Sequence, residues 1–214
     1  MRRSRIEEED FRMVRRQQAF RVAADVVAGA LSEFAEVEAV AVIGSVARPL
    51  WKEVPRFGGF RRKQIMIWHE CGDLDLAVWV TSCERLEKMR QARDQSLAAA
   101  GRNLFRDGLG PLPLPLAVTG HQAEVFLFEP ETDRYLGRLC SFSQCPKGKP
   151  DCGTPGCGAI PFNKIVPGFV PSPDLLETAA YATLYRRGQG VLMSALDLPG
   201  PGAEKPKAGG PGGG

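Results

Sequence analysis

The stretch Gly72-Asp73-Leu74-Asp75-Leu76-Ala77-Val78-Trp79-Val80 decides how the rest of the chain is read. From Leu74 onward it is apolar apart from one carboxylate, and its bulky, partly β-branched side chains suit a buried strand over residues 74–80. On a strand, residues two apart share a face and neighbours alternate. Asp73 and Asp75 are therefore expected to project together, with Leu74 and Leu76 turned the other way into a core. Two carboxylates held side by side in an apolar frame repel each other unless a cation lies between them. Hard, oxygen-only donors of this kind suit Mg²⁺ or Mn²⁺.

Upstream, residues 37–43 (Val-Glu-Ala-Val-Ala-Val-Ile) read as a second buried strand ending at Gly44. Gly44-Ser45 then precedes Val46-Ala47-Arg48. Glycine permits close backbone approach, and Ser45 can offer its hydroxyl and backbone N–H to a phosphate, with Arg48 a further phosphate contact. Downstream, residues 123–128 form a third apolar strand interrupted by one acid, Glu124. Were the strands carrying Asp75 and Glu124 to pair, three carboxylates would bracket two metal ions, the arrangement that clamps the attacking and leaving oxygens of a phosphoryl displacement.

Helical signals flank these strands. Residues 7–35 place Phe20, Ala24, Val27, Leu31 and Phe34 on one apolar face, with the acidic run 7–10 where a helix N-terminus favours negative charge. Thr81-Ser82-Cys83-Glu84 has the form of a capping box opening a helix to about residue 105, with Leu86, Met89, Leu97, Ala100 and Leu104 facing inward. Residues 106–120 read as a Gly/Pro-rich loop, 132–139 as a short helix and 174–187 as a longer one. Gly58-Gly59 between residues 50–57 and 60–68 predicts a β-hairpin insert over 50–70. The order implies an α/β or α+β fold, a small mixed sheet with flanking helices. It forms one domain over 1–198, with its core at about 20–130. Residues 199–214 hold 11 Gly or Pro among 16 and read as a flexible tail.

The order of an apolar strand, Gly44-Ser45, Asp73-Leu74-Asp75 and a third acid resembles the DNA polymerase β-like nucleotidyltransferase superfamily. The run Gly44-Ser45-Val46-Ala47-Arg48 looks most like its minimal nucleotidyltransferases, and the resemblance spans roughly residues 38–128. It implies that Gly44 and Ser45 hold a nucleoside triphosphate and that Asp73 and Asp75 hold Mg²⁺ (or Mn²⁺). Glu124 would complete the site as metal ligand or as base for an acceptor hydroxyl. The activity implied is transfer of a nucleoside monophosphate to an acceptor, itself not legible here, with release of pyrophosphate. A helical partner protein or a second copy of the chain is the associate such a protein would have.

A separate signal is Cys140, Cys145, Cys152 and Cys157, spaced C-x4-C-x6-C-x4-C in a Pro/Gly-rich loop over 140–158. Four thiolates can close a tetrahedral Zn²⁺ site and hold together a loop with little core of its own. Cys71, Cys83, His69 and His121 read as structural residues. The net charge of +3 does not mark the whole chain as nucleic-acid binding, although basic residues cluster at 2–5, 12–16 and 56–63. No apolar run reaches the roughly 20 residues of a membrane span, and the first residues lack the apolar stretch of a secretion signal, so a cytoplasmic protein is expected. A non-catalytic binding or antitoxin-type module, built on the same scaffold with the zinc loop and the Arg-rich hairpin as its contact surface, is the competing expectation.

Overall fold

A computed structural model describes residues 3–56, 58–106, 118–139 and 181–202. The protein is mixed α+β. Helix α1 (Arg3–Ser32) leads into strand β1 (Val37–Ile43) and the short turn of helix α2 (Gly44–Ala47). A small excursion follows: β2 (Lys52–Glu53), α3 (Gly58–Arg62) and β3 (Ile67–Trp68). The chain then re-enters the main sheet through β4 (Leu74–Val80), crosses it as α4 (Leu86–Arg106), and returns as β5 (Ala123–Phe128) and β6 (Tyr135–Arg138). The last strands are β7 (Tyr181–Arg186) and β8 (Gly190–Val191), followed by a 3-10 turn at Ala195–Asp197.

The six-stranded sheet has the order β6-β5-β4-β1-β7-β8. Among the described strands only β4 and β5 run parallel, because α4 carries the chain back to the same end between them. All other neighbours are antiparallel. Alternation divides each central strand between two faces. Val40, Val42, Leu76, Val78, Val125 and Leu127 join Val27 and Leu31 of α1 and Met89 and Leu97 of α4 in one buried cluster. Ala39, Ala41, Ile43, Ala77, Trp79, Phe126 and Phe128 form a second cluster on the opposite face. No helix among the described residues is long and apolar enough to cross a membrane.

The three strands expected at the centre are present with the anticipated bounds, but several flanking expectations are overturned. Residues 135–138 are an edge strand, not part of a helix: Asp133 takes a positive φ of 53° and turns the chain back along β5. Residues 181–186, placed in a helix by their sequence, form β7 against the free edge of β1. The insert does pair antiparallel, Lys52 with Trp68 and Glu53 with Ile67, but Gly58-Gly59 open a short helix rather than a tight turn. Helix α1 starts before the acidic run, whose members pair instead with side chains nearby, Glu7 with Arg3 and Asp10 with Lys52. Thr81 bonds the Glu36 carbonyl rather than capping α4, which begins only at Leu86. Residues 199–202 are tied down, not loose: Arg21 donates to the Leu198 and Pro199 carbonyls, and the Gly202 N–H to that of Leu50. The four clustered cysteines lie outside the described residues.

Candidate functional site

The parallel pairing of β4 with β5 sets Leu74 beside Ala123, Asp75 beside Glu124 and Leu76 beside Val125. Paired strands lie about 4.8 Å apart, so Asp75 and Glu124 are side by side on one face. That face is the one opposite α1 and α4, where Ala77 and Phe126 continue the row inward as an apolar wall. On the other flank Asp75 is paired with Ile43, the last residue of β1. Asp73 stands just ahead of β4 and is exposed, whereas Asp75 and Glu124 are half-buried.

Gly44 closes the site from the β1 side. Its φ is +72°, and a Cβ built on it would meet Asp75 Oδ2 at 3.0 Å. Glycine is needed there twice over, for the backbone angle and for the approach to the carboxylate. The turn that follows is gripped from behind by α1. Gln17 donates to the carbonyls of Arg48 (2.8 Å) and Ser45 (3.4 Å), and Arg21 to those of Val46 (3.2 Å) and Arg48 (3.3 Å). Both side chains are almost fully buried, so the turn is fixed by polar contacts formed out of solvent. The buried Cys71 thiol also points at the Ser45 carbonyl (3.7 Å), and burial raises its pKa, which keeps it protonated and unreactive.

Burial, then the charges of Glu124 and Asp73, push the Asp75 carboxyl up to about 6. The three acids thus share one electrostatic neighbourhood, as the sequence leads one to expect. Glu124, however, also has a cation beside it. Arg138 Nη1 donates to Glu124 Oε1 at 2.7 Å. A second arginine holds the framework of that pair: Arg93 of α4, 2% exposed, donates to the carbonyls of Ala123 and Leu139, each at 3.3 Å. Those residues directly precede Glu124 and follow Arg138. Among the described residues, no three His, Cys, Asp or Glu side chains converge closely enough to hold one metal ion. The donor set is nevertheless of hard oxygens, and the Glu124 carboxylate that would complete it is turned toward Arg138.

A cleft of about 880 Å³ adjoins the turn through Arg48, lined also by Trp51, Glu53, Arg56, Phe60 and His69. Its polar centre is Glu53, whose two oxygens meet His69 Nδ1 (2.7 Å) and Trp51 Nε1 (2.9 Å). The two rings stack at 3.9 Å with an 18° interplanar angle. This cluster was not legible as a unit, because residues 51, 53 and 69 meet only through the β2–β3 register. The one available signal was the Trp-x-Glu spacing on a strand, which puts both side chains on one face. Arg138 is hidden from the sequence as well, because residues 132–139 carry a helical signal while 135–138 form β6. His121 is exposed in the turn before β5 and does not line this cleft. No family model matches the chain, and neither a curated protein nor a solved structure matches it significantly.

Proposed function

We propose that the chain is a divalent-metal-dependent nucleotidyltransferase that moves a nucleoside monophosphate from a nucleoside triphosphate to an acceptor hydroxyl. The observation that carries this reading is the in-register pair Asp75–Glu124, set directly against the backbone of Gly44. A carboxylate that burial and like charge make costly to ionise gains by meeting a cation, and a glycine turn leaves room for phosphate oxygens beside it. Asp73, Asp75 and Glu124 would hold Mg²⁺ or Mn²⁺, which supplies charge neutralisation at the phosphates when bound. Gly44, Ser45 and Arg48 position the triphosphate; the rigid seating of their turn on Gln17 and Arg21 preorganises it.

In the transfer, the acceptor oxygen forms a bond to the α-phosphorus while the bond to the β-bridging oxygen breaks, and pyrophosphate leaves. The acceptor proton passes to a carboxylate of the group, with Glu124 the candidate once it is released from Arg138. The cleft bordered by Arg48 and the Glu53–Trp51–His69 cluster is the adjoining space for the acceptor. A structural Zn²⁺ on Cys140, Cys145, Cys152 and Cys157, and a helical partner or second copy, belong to this proposal as sequence-based elements. Incubation with Mg²⁺ and α-labelled nucleoside triphosphates tests it. Pyrophosphate release with label transferred, lost in Asp75→Asn, is the expected result; no release with any of the four common nucleotides would contradict it.

One observation favours a non-catalytic binding module: the Arg138–Glu124 ion pair neutralises the third carboxylate. In that reading the pair is permanent, and neither metal nor nucleotide alters it.

A further inference from the structure

The stretch that follows the Gly44 turn is strongly basic: residues 48–63 hold six Arg or Lys and one acid, Glu53. Two of those cations, Arg48 and Arg56, line the cleft of about 880 Å³. The cleft is not simply basic, because Glu9, Glu53 and Glu70 line it as well. Each of those acids, however, already has a partner. Glu9 meets the Arg12 guanidinium, Glu70 that of Arg16 at 2.7 Å, and Glu53 the rings of His69 and Trp51. Among the described residues neither the Arg48 nor the Arg56 guanidinium has a hydrogen bond or an ion pair. The charge left unmatched in the cleft is therefore positive. It continues outside, where Arg61 and Arg62 end α3 and Lys63 follows, all three exposed and without an acidic partner among the described residues. The Arg61 guanidinium donates to the Arg56 carbonyl at 2.6 Å, which joins these outer cations to the cleft.

The cleft also carries aromatic rings. Trp51 and His69 stack on each other, and the Lys52 ammonium lies 4.5 Å from the centre of the Trp68 ring. Phe60 of α3, half-buried in the cleft wall, has no ring or cation partner among the described residues. We propose that this cleft and α3 bind single-stranded nucleic acid, with one base against Phe60, its phosphate at Arg56, and neighbouring phosphates on Arg61, Arg62 and Lys63. A single small anion could enter the cleft but would leave the cations of α3 unmatched. A duplex holds its bases stacked inward and has no free ring to offer Phe60. A single strand supplies both groups at a regular repeat, a flat base and one negative charge per nucleotide. The cleft is the space given above to the acceptor, so such a strand would be the acceptor. That last step rests on the nucleotidyltransferase reading, whereas the binding itself does not.

The test is fluorescence anisotropy with the full chain at low salt, without metal or nucleoside triphosphate, so that it does not depend on the acid site. The probes are a labelled 12-nucleotide single strand of mixed sequence, the same strand without bases, and its duplex. Wild type should bind the base-bearing strand about tenfold more tightly than the base-free one. Phe60→Ala should remove that difference, and Phe60→Tyr, which keeps a flat ring, should retain it. Arg56→Gln should weaken both strands several-fold and lower the slope of log affinity against log salt by about 0.7. Thermal melting of each variant establishes that it is folded. No binding by wild type, equal binding of base-free strand or duplex, or a Phe60→Ala variant that keeps the preference would each overturn the proposal. Asp75→Asn should bind the strand as wild type does. Strand binding without any nucleotide transfer would therefore leave this inference standing and count against the transferase reading alone.

Discussion

The two ends of the β4–β5 pair present the same residue types in opposite conditions. At the far end, Glu129 follows β5 and its carboxylate is bonded by Arg134 (3.0 Å) and by the Thr132 hydroxyl, which lower its pKa to about 2. There Asp133 accepts from Trp79 Nε1 at 2.7 Å, a contact that offsets part of the rise that burial gives its carboxyl. At the near end, burial and two neighbouring acids raise Asp75 to about 6. At the far end the chain itself supplies donors to the acids; at the near end Arg138 meets Glu124, and Asp73 and Asp75 add negative charge beside a glycine turn. Among the described residues no contact neutralises Asp75 there, and the proposed function gives this position to a cation.

The largest expected effect comes from removing the strained acid. Asp75→Asn should abolish nucleotide transfer, read as pyrophosphate release, while leaving the circular dichroism spectrum unchanged. Glu129→Gln, at the satisfied end, should leave transfer intact, and equal losses in both would erase the contrast.

Next in size is a dependence of stability on pH. The native carboxyl of Asp75 titrates near 6 against an ordinary value of 3.8, so between those values the native state binds more protons than the unfolded one. Stability from this position therefore falls as pH rises from about 4 to about 6 and stays lost above it. The full shift corresponds to at most roughly 3 kcal/mol. In urea unfolding, the advantage of Asp75→Asn over wild type should grow from near zero at pH 4 to about 1–3 kcal/mol at pH 7. An advantage equal at both pH values would locate its cause elsewhere.

Gly44→Ala should cost about 1–3 kcal/mol through the positive φ, and its Cβ would press on Asp75 Oδ2. Nucleotide-dependent stabilisation should weaken with it. If Gly44→Ala melts like wild type and keeps its nucleotide response, the close approach has no functional part. Smallest is Glu53→Gln, expected to lose about 1 kcal/mol by loosening the Trp51–His69 stack, with the metal response kept. A lost metal response there would join the cleft to the acid site more tightly than the contacts indicate.

Residues 37–43, 74–80 and 123–128 were legible as strands because they are apolar on both faces, a pattern that local sequence alone displays. The acids stood out against that background, and so did the glycine that ends β1. Strands 135–138 and 181–186 are not legible: β6 is a four-residue edge strand folded back on β5, and β7 gains its strand character from β1, far along the chain. With β6 hidden, Arg138 had no place in the site. With the β2–β3 register hidden, neither had the Glu53–His69 contact. Nothing in the sequence marks Arg93 of α4 as buried; the Ala123 and Leu139 carbonyls give it partners inside.

Thermal melting at pH 7.5 tests the proposal that the near end of β4–β5 is a metal and nucleotide site. Wild type and Asp75→Asn would each be measured alone and with millimolar Mg²⁺ and nucleoside triphosphate. Ligand bound only to the folded state raises its stability by mass action. Without ligand, Asp75→Asn should melt higher than wild type; with both added, wild type should rise and the variant should stay where it was. A wild-type curve indifferent to metal and nucleotide, beside an Asp75→Asn variant that melts lower than wild type, would contradict it.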